Sequence, residues 1–296
     1  MILTIGSEGL GSWGKDIINF LINKLDNNIV IRYENNNSCD LIISSMFVNY
    51  EKEWNTNMKK YIYWSGEYYH PYESKYQTKK LYILTTIQNS MDYLYVPYFL
   101  YSSHLYKDRI SPNINRKYLL AYCSSRAINH REELFNIFVE NTSDNSCHAL
   151  GSCYGKYPHT KFKDVDGGWC GTELIHTYTD YKFVIAVENA KVEGYITEKI
   201  INAFYSGAIP IYWGCDTITN YFNKNAFINV NDFNSFEECV KYVINMDEET
   251  IQRMTNEPIY NPNNDIVNLL NVEYNLINGN KTLDSYLLKI KNFIND

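Results

Sequence analysis

In Lys182-Phe-Val-Ile-Ala-Val-Glu-Asn-Ala-Lys-Val-Glu-Gly-Tyr-Ile-Thr-Glu-Lys-Ile-Ile-Asn-Ala-Phe204 an apolar run passes through a short polar loop into a helical pattern. Lys182–Val187 predicts a buried strand, the loop carries Asn189, Gly194 and Tyr195, and Ile196–Tyr205 has helical spacing. Ala208–Trp213 is apolar again and predicts a second strand, so the segment reads as strand, helix, strand, the unit of a parallel α/β sheet. The helix opens with Thr197-Glu198-Lys199. A lysine in a first turn opposes the helix dipole, which favours negative side chains there. An anion docked at the helix N-terminus, its cradle completed by Lys199, explains that placement. A surface lysine paired with a neighbouring acid is the simpler alternative.

The alternation extends in both directions. Tyr118–Cys123 predicts a strand and Arg131–Val139 a helix, while Ser235–Met246 and Leu283–Ile294 carry helical periodicity. Nearer the N-terminus, Met1–Ile5, Asn28–Tyr33, Leu41–Phe47, Lys60–Trp64 and Leu94–Leu100 read as strands, with a helix over Asp16–Leu25. The polar stretch Ser102–Arg116, with Pro112, is the linker candidate. The expected fold is therefore α/β, with two Rossmann-like domains facing a central cleft. Residues 1–112 form the first domain and 113–275 the second, and a C-terminal helix in 276–296 packs back towards the first.

Bulk composition excludes several classes. The 296 residues are enough for two cores, and 45% apolar with 21% charged residues is globular composition. A net charge of −7 argues against a nucleic-acid partner. The 28 tyrosines supply amphipathic surfaces that suit carbohydrate as well as core packing. No stretch approaches the roughly 20 apolar residues of a membrane span, and the start lacks the pattern of a secretory signal. The seven cysteines are odd in number and form no CxxC, so reduced thiols are expected, with the sequons at Asn141 and Asn280 unused.

A second anion site is indicated at Cys123-Ser-Ser-Arg-Ala-Ile-Asn-His-Arg131-Glu-Glu133. Asn129 with Glu132 resembles a capping box, which puts Arg131 in the first turn of a helix after a strand. Two cationic side chains at two helix starts fit a diphosphate, Arg as a fork and Lys as a point charge. Glu67 follows the strand Tyr61-Ile-Tyr-Trp64 and a Ser-Gly turn, at the kind of carboxyl edge where open α/β sheets place ligands. There it could accept a proton from an attacking hydroxyl, or be an ordinary loop acid.

Three further patterns compete. Gly9, Gly11 and Gly14 match GxGxxG, with Glu34 twenty residues beyond Gly14, which is the dinucleotide-binding pattern or else only a tight turn. Asp164 and Asp166 form a DxD in a polar stretch with no apolar strand before it, read as a solvated loop rather than a metal site. Cys147, His148, Cys153 and Cys170 lack the repeated spacing of structural zinc sites.

Val187-Glu-Asn189, Gly194-Tyr-Ile-Thr-Glu-Lys199, Ala203-Phe204 and Gly207-Ala-Ile-Pro-Ile-Tyr-Trp-Gly214 together resemble the α-1,3/α-1,4-fucosyltransferase family. Ser124-Ser125 with Arg131, His148-Ala-Leu-Gly-Ser-Cys153, Phe227–Phe233, Tyr63-Trp-Ser-Gly-Glu67 and Tyr95-Val-Pro97-Tyr98 are similar to its other blocks. Three positions depart from the family pattern: Ser125 stands where bacterial members carry Asn, Val184 where an aromatic is usual, and Ala190 where Ser is common.

The resemblance implies a GT-B fold and transfer of L-fucose, with inversion, from GDP-fucose to a glycan hydroxyl, O3 of GlcNAc or glucose. It implies no required cofactor and no bound metal, while leaving room for stimulation by a divalent cation. Arg131 and Lys199 would hold the diphosphate, Ser124 and Ser125 would lie beside the nucleotide, and Asn189, Tyr195 and Glu198 would contact ribose, fucose or phosphate. Tyr98 would line the donor/acceptor cleft, and Glu67 would be the general base. The expected partners are GDP-fucose and an oligosaccharide or glycoconjugate acceptor, with no nucleic acid and no integral membrane segment. A cytoplasmic location and a microbial or viral source are expected. Three alternatives remain at this level: a transferase of the same fold using another nucleotide sugar, an NAD-dependent oxidoreductase using Gly9, Gly11 and Gly14, and a non-catalytic glycan-binding protein.

Overall fold

The computed structural model describes residues 2–8, 15, 19, 30–34, 39–45, 60–69, 80–87, 93–100, 109–110, 116–143, 145–163, 165, 172–261, 263, 288 and 290–294. The chain divides into two compact units, Met1–Pro97 with Asn268–Asp296, and Tyr98–Val267.

The first unit is built on a parallel sheet of six strands: β1 (Ile2–Glu8), β2 (Val30–Tyr33), β3 (Leu41–Ser45), β4 (Lys60–Ser65), β5 (Lys80–Leu84) and β6 (Tyr93–Tyr95). Their order is β2-β1-β3-β4-β5-β6. Every residue of β3 is buried, as a strand in the middle of a parallel sheet must be when both faces are covered. Residues 291–294 are helical, and Lys60 Nζ donates to the Ile294 carbonyl at 2.6 Å, with Ile290 buried. The apolar run Leu94–Leu100 does not form one strand. β6 stops at Tyr95 and residues 98–100 are helical, because Pro97 lacks a donor for the ladder and is pre-set for a helix start.

The second unit carries a five-stranded parallel sheet in the order β11-β10-β9-β7-β8. Its strands are β7 (Tyr118–Tyr122), β8 (Cys147–Ala149), β9 (Tyr181–Val187), β10 (Ile209–Trp213) and β11 (Ile228–Asn229). Its helices are α1 (Asn129–Glu140), α2 (Thr172–Tyr178), α3 (Glu198–Tyr205), α4 (Phe236–Ile244) and α5 (Glu248–Asn256). The pleat divides the core into two layers. Leu120 and Tyr122 of β7, Phe183, Ile185 and Val187 of β9, and Ile209 and Ile211 of β10 pack with α1, α4 and α5. Ala121, Val184 and Ala208 pack with Leu174 and Tyr178 of α2 and Ala203 of α3. Side chains alternate along each strand, so both faces are apolar and the strands read as unbroken hydrophobic runs. Each fully buried aliphatic side chain here is worth about 1.5–3 kcal/mol.

Tyr98 opens this second unit. Phe99 N donates to the Ile196 carbonyl at 3.1 Å, and its ring packs 4.9 Å from Phe222. Farther on, Arg109 Nε bonds the Phe204 carbonyl at 3.0 Å and Ile110 N the Tyr205 carbonyl at 2.8 Å. These bonds tie Arg109 and Ile110 to the end of α3 and Phe99 to the segment just ahead of it, and the division at 97/98 falls ahead of the boundary expected at 112/113. No helix among the described residues is long and apolar enough to cross a membrane.

Candidate functional site

At the carboxyl end of β7 the chain turns through Ser124 into α1. Ser124 is buried because Gly151 lies against it: a Cβ on Gly151 would sit 2.4 Å from the Ser124 carbonyl oxygen. The expected capping box is not formed. The N-cap of α1 is Ile128, with no side-chain cap bond, and Asn129 is the first helical residue. Glu132 instead accepts from the Tyr122 hydroxyl and from Gly155 N at 2.7 Å, so tertiary partners take the carboxylate that a local cap would have used. Arg131 nevertheless falls in the first turn. It is 5% exposed, and its guanidinium spans two chain segments. Nη1 donates to Ser124 Oγ at 2.9 Å, while Nη2 donates to the Val187 carbonyl and to Asn189 Oδ1, both at 2.8 Å. Its Nε–H is buried with no acceptor among the described residues.

The carboxyl end of β9 supplies the other half. Asn189 Nδ2 lies 3.5 Å from the buried Tyr195 hydroxyl oxygen, and Gly194 takes φ +77°, a conformation that costs only glycine little. Thr197 is the N-cap of α3, yet its hydroxyl does not cap the helix. It accepts from Lys199 Nζ at 2.8 Å and donates to the carboxylate of Glu188, at 3.0 Å from Oε1 and 2.8 Å from Oε2. Glu188 is fully buried and also accepts from Thr197 N at 2.7 Å and Lys199 Nζ at 3.1 Å. Glu198, next to Lys199, approaches the same ammonium at 3.4 Å.

Burial pushes the Glu188 carboxyl above the usual carboxylate range, against the opposing pull of Lys199 and the Thr197 donors. Burial disfavours the Lys199 ammonium too, but Glu188 and Glu198 together outweigh it and hold the lysine above its ordinary value. We read the pair as ionic, since three donors converge on one carboxylate and the bound cation is within hydrogen-bond distance.

β8 lies on one side of β7 and β9 on the other, so the strand order reverses between β7 and β9. Open parallel sheets bind ligands at the carboxyl ends of such strands. Arg131 sits at that point, joining the turn after β7 to the end of β9. Ser124, Arg131, Asn189 and Tyr195 thus form one bonded group and Glu198 with Lys199 another beside it, Arg131 lying close enough to Lys199 to oppose its charge. The arrangement offers a forked cation, a point cation, a helix N-terminus and a carboxylate, which is the chemistry of an anionic nucleotide ligand with hydroxyls.

Ser125 is exposed beside Ser124, with its side chain outside this set of bonds. Tyr98 is buried at the start of the second unit. Glu67 lies in the first unit at the carboxyl end of β4 and is half-buried, its amide donating to Ser65 Oγ at 3.3 Å. Sequence reasoning missed Glu188, Thr197 and His130. His130 Nε2 is 3.0 Å from the Glu188 carbonyl oxygen, and its ring packs 4.3 Å from Trp213. The available signal was an acid directly after a buried strand and before a cation-bearing helix start.

Of the competing patterns, Gly9–Gly14, Asp164, Asp166 and Cys170 lie outside the described residues. His148 is buried against Phe162 and bonds the Tyr181 hydroxyl at 2.9 Å through Nδ1, while Cys147 Sγ contacts Thr142 Oγ1 at 3.3 Å. Among the described residues no group of three or more His, Cys, Asp or Glu is arranged to hold a metal ion.

Residues 114–255 match the C-terminal domain of glycosyltransferase family 10 (fucosyltransferase). Over 65 residues the chain is 46% identical to an α-(1,3)-fucosyltransferase of Helicobacter pylori, covering 22% of this chain and 14% of that protein. Over 150 residues it is 29% identical to an α-(1,4)-fucosyltransferase of Arabidopsis thaliana, covering 48% of this chain and 37% of that one. The chain thus spans well under two thirds of these relatives' own length. A crystal structure of an α1,3-fucosyltransferase with GDP superposes with a TM-score of 0.72 at 18% identity, covering 100% of this chain and 91% of that one. A DNA-modifying β-glucosyltransferase superposes at 0.62 with 11% identity, covering all of both chains. At those identities the likeness concerns the fold: two parallel-sheet α/β units of the GT-B kind. The family match covers the sheet, the β7–α1 turn and the β9–α3 segment that hold the paired cations, so this unit matches the C-terminal domain of the fucosyltransferases of glycosyltransferase family 10.

Proposed function

We propose that this protein is an inverting fucosyltransferase that moves L-fucose from GDP-fucose to a hydroxyl of a glycan acceptor, O3 of GlcNAc or glucose. The observation that carries the reading is the pair of cations at the β7 and β9 carboxyl ends, with the Arg131 Nε–H left without an acceptor among the described residues. A buried donor without an acceptor costs about 1–3 kcal/mol, a cost removed when a phosphoryl oxygen comes within its reach. Arg131 donates its Nε–H to the diphosphate, and Lys199 with the α3 N-terminus neutralises the charge that grows on it as the glycosidic bond breaks. Asn189, Tyr195 and Glu198 take ribose or fucose hydroxyls, and Ser124 fixes the guanidinium. The two cations supply the charge neutralisation, so the reading requires no resident metal.

Glu67 is the proposed base. Its carboxylate accepts the proton of the acceptor hydroxyl as that oxygen attacks the anomeric carbon, and the GDP leaves from the opposite face with inversion. Tyr98 is assigned to the donor/acceptor cleft by the same resemblance. The relatives named above as α-(1,3)- and α-(1,4)-fucosyltransferases support the donor, and the solved α1,3-fucosyltransferase with GDP supports a guanine nucleotide.

The experiment is nucleotide binding followed by turnover. GDP and GDP-fucose are expected to raise the melting temperature, with UDP and NAD giving no comparable shift. Release of GDP from GDP-fucose is expected to rise on adding LacNAc-type acceptors and to persist in EDTA. A response to NAD and none to GDP would overturn the reading. A response to UDP-sugars in place of GDP-fucose would change the donor.

A further inference from the structure

Glu188 has no part in the donor contacts just proposed, yet it is the most deeply buried acid of the neighbourhood. Its exposure is 0%, against 16% for the Glu198 side chain and 23% for that of Lys199. Both carboxylate oxygens face the head of α3 and receive Thr197 N, the Thr197 hydroxyl and Lys199 Nζ. Its backbone is pinned as well: Glu188 N donates to the Trp213 carbonyl at 2.8 Å, and His130 Nε2 lies 3.0 Å from the Glu188 carbonyl oxygen. Space for the side chain depends on Gly214, where a Cβ would lie 2.8 Å from Glu188 Cγ and 2.7 Å from the Tyr212 hydroxyl. Adjacent residues thus serve the two cations separately, Asn189 receiving Arg131 and Glu188 receiving Lys199.

A helix cap alone does not require this. A threonine N-cap can satisfy the first-turn amides by itself, without a desolvated carboxylate. Here the Thr197 hydroxyl is diverted into a relay from Lys199 to Glu188. The neighbourhood carries two cations, Arg131 and Lys199, and two acids, Glu188 and Glu198, and both acids lie against Lys199.

We propose that Glu188 is a positioning residue for the transfer reaction, aiming the Lys199 ammonium and offsetting part of its charge so that the nucleoside diphosphate product is not held too tightly. The proposal rests on the donor reading above. Binding energy spent equally on substrate, transition state and product does not raise turnover. A fixed counter-charge lowers the attraction for GDP in the resting site, while the aimed ammonium still meets the charge that develops as the leaving group departs. Removing the counter-charge should therefore move affinity and turnover in opposite directions, which a purely structural role would not do.

The test uses the full chain with Glu188→Gln, which keeps an acceptor for Thr197 N and removes the charge. GDP measured by calorimetry at low salt is expected to bind about three- to tenfold more tightly, while kcat falls about tenfold or more. In a Lys199→Met background the same substitution is expected to change both by less than about twofold, since its effect runs through the ammonium. Weaker GDP binding in a folded Glu188→Gln protein, or an unchanged effect in the Lys199→Met background, overturns the proposal.

A second readout does not depend on the donor. The Lys199 side chain, followed by 15N NMR, is expected to titrate at lower pH in Glu188→Gln, and no change overturns the role. If the wild-type protein binds no GDP, the donor reading fails while this titration still decides whether Glu188 holds the ammonium. If Glu188→Gln does not fold, Thr197→Val cuts the relay and keeps the carboxylate. It is expected to lower kcat several-fold with GDP affinity within about twofold, and unchanged kcat overturns the proposal.

Discussion

Replacing Arg131 by lysine separates the fork from the charge. The guanidinium reaches Ser124 Oγ on one side at 2.9 Å and the Val187 carbonyl and Asn189 Oδ1 on the other at 2.8 Å. An ammonium is a single point and cannot span from the β7 turn to the end of β9, so at least one of these charge-assisted bonds is lost. Each is worth about 1.5–3 kcal/mol, and water entering the gap recovers part of that. The net cost to the free protein is therefore about 1–3 kcal/mol, or a fall in Tm of about 2–9 °C. A bound diphosphate loses a contact as well, because the guanidinium Nε–H, a donor left over from the protein contacts, has no counterpart on an ammonium. Losing one such bond weakens GDP by about ten- to a hundredfold. Calorimetric titration with GDP and differential scanning fluorimetry without nucleotide report the two effects separately. The formal charge is unchanged, so the salt dependence of binding should be preserved. Wild-type GDP affinity in Arg131→Lys, whatever the melting temperature does, would show that the fork is only a structural tie and refute its role in holding the donor.

Glu67→Gln is expected to lower transfer about 10²- to 10⁴-fold with GDP affinity within about twofold of wild type, checked by steady-state kinetics beside calorimetry; retained transfer removes Glu67 as the base. Gly151→Ala drives a methyl to 2.4 Å from the Ser124 carbonyl oxygen, so the β7 turn must shift. A loss of about 1–3 kcal/mol in urea unfolding and weaker GDP binding are expected, and unfolding at the wild-type midpoint would count against the close approach. Burial holds the His148 imidazole below its ordinary value of 6.5. The unfolded chain then takes up a proton first as pH falls. Stability from this group is complete above about pH 6.5 and is lost on acidification below it. His148→Phe should flatten that part of the unfolding profile, and an unchanged slope would mean that other groups set it.

The sheet of the second unit was legible where strands are buried on both faces. Lys182–Val187 and Ala208–Trp213 carry no alternation to misread, and the helix between them buries Ile200, Ile201, Ala203 and Phe204. What escaped notice is short or mostly polar. β8 is three residues with a histidine in the middle, buried only because Tyr118, Phe162 and Tyr181 surround the ring. The helix α5 shows the core little more than Ile251 and Met254, too few for a pattern in nine residues. β5 lies in a Lys- and Tyr-rich stretch and gained strand character from its neighbours β4 and β6. In the site, Arg131 and Lys199 could be found because a cation in a first turn contradicts the dipole and therefore asks for a reason. Asn129 was misread as a cap because local spacing cannot show that Tyr122 and Gly155 claim the carboxylate of Glu132.

Lys199 admits two readings in the sequence, an anion cradle and a lysine paired with an acid, and the structure shows the pairing. The Lys199 side chain is only 23% exposed, and its ammonium meets counter-charge before any ligand arrives. Glu188 supplies it permanently, fixed by Thr197 and closed in behind Gly214. Glu198 supplies it only loosely, at 3.4 Å from a more exposed position. On the proposed donor reading, a diphosphate entering at the head of α3 takes the place of Glu198 and releases that carboxylate to ribose or fucose hydroxyls, but does not displace Glu188 without breaking the relay through Thr197. On that reading the two acids beside one lysine divide the work, one keeping the cation in place and the other yielding to the ligand. Substituting them separately should expose the difference: Glu198→Gln should weaken GDP binding, since its hydroxyl contacts are lost, where Glu188→Gln strengthens it. The same sign of change for both would mean that the lysine has a single shared counter-ion and that the division does not exist.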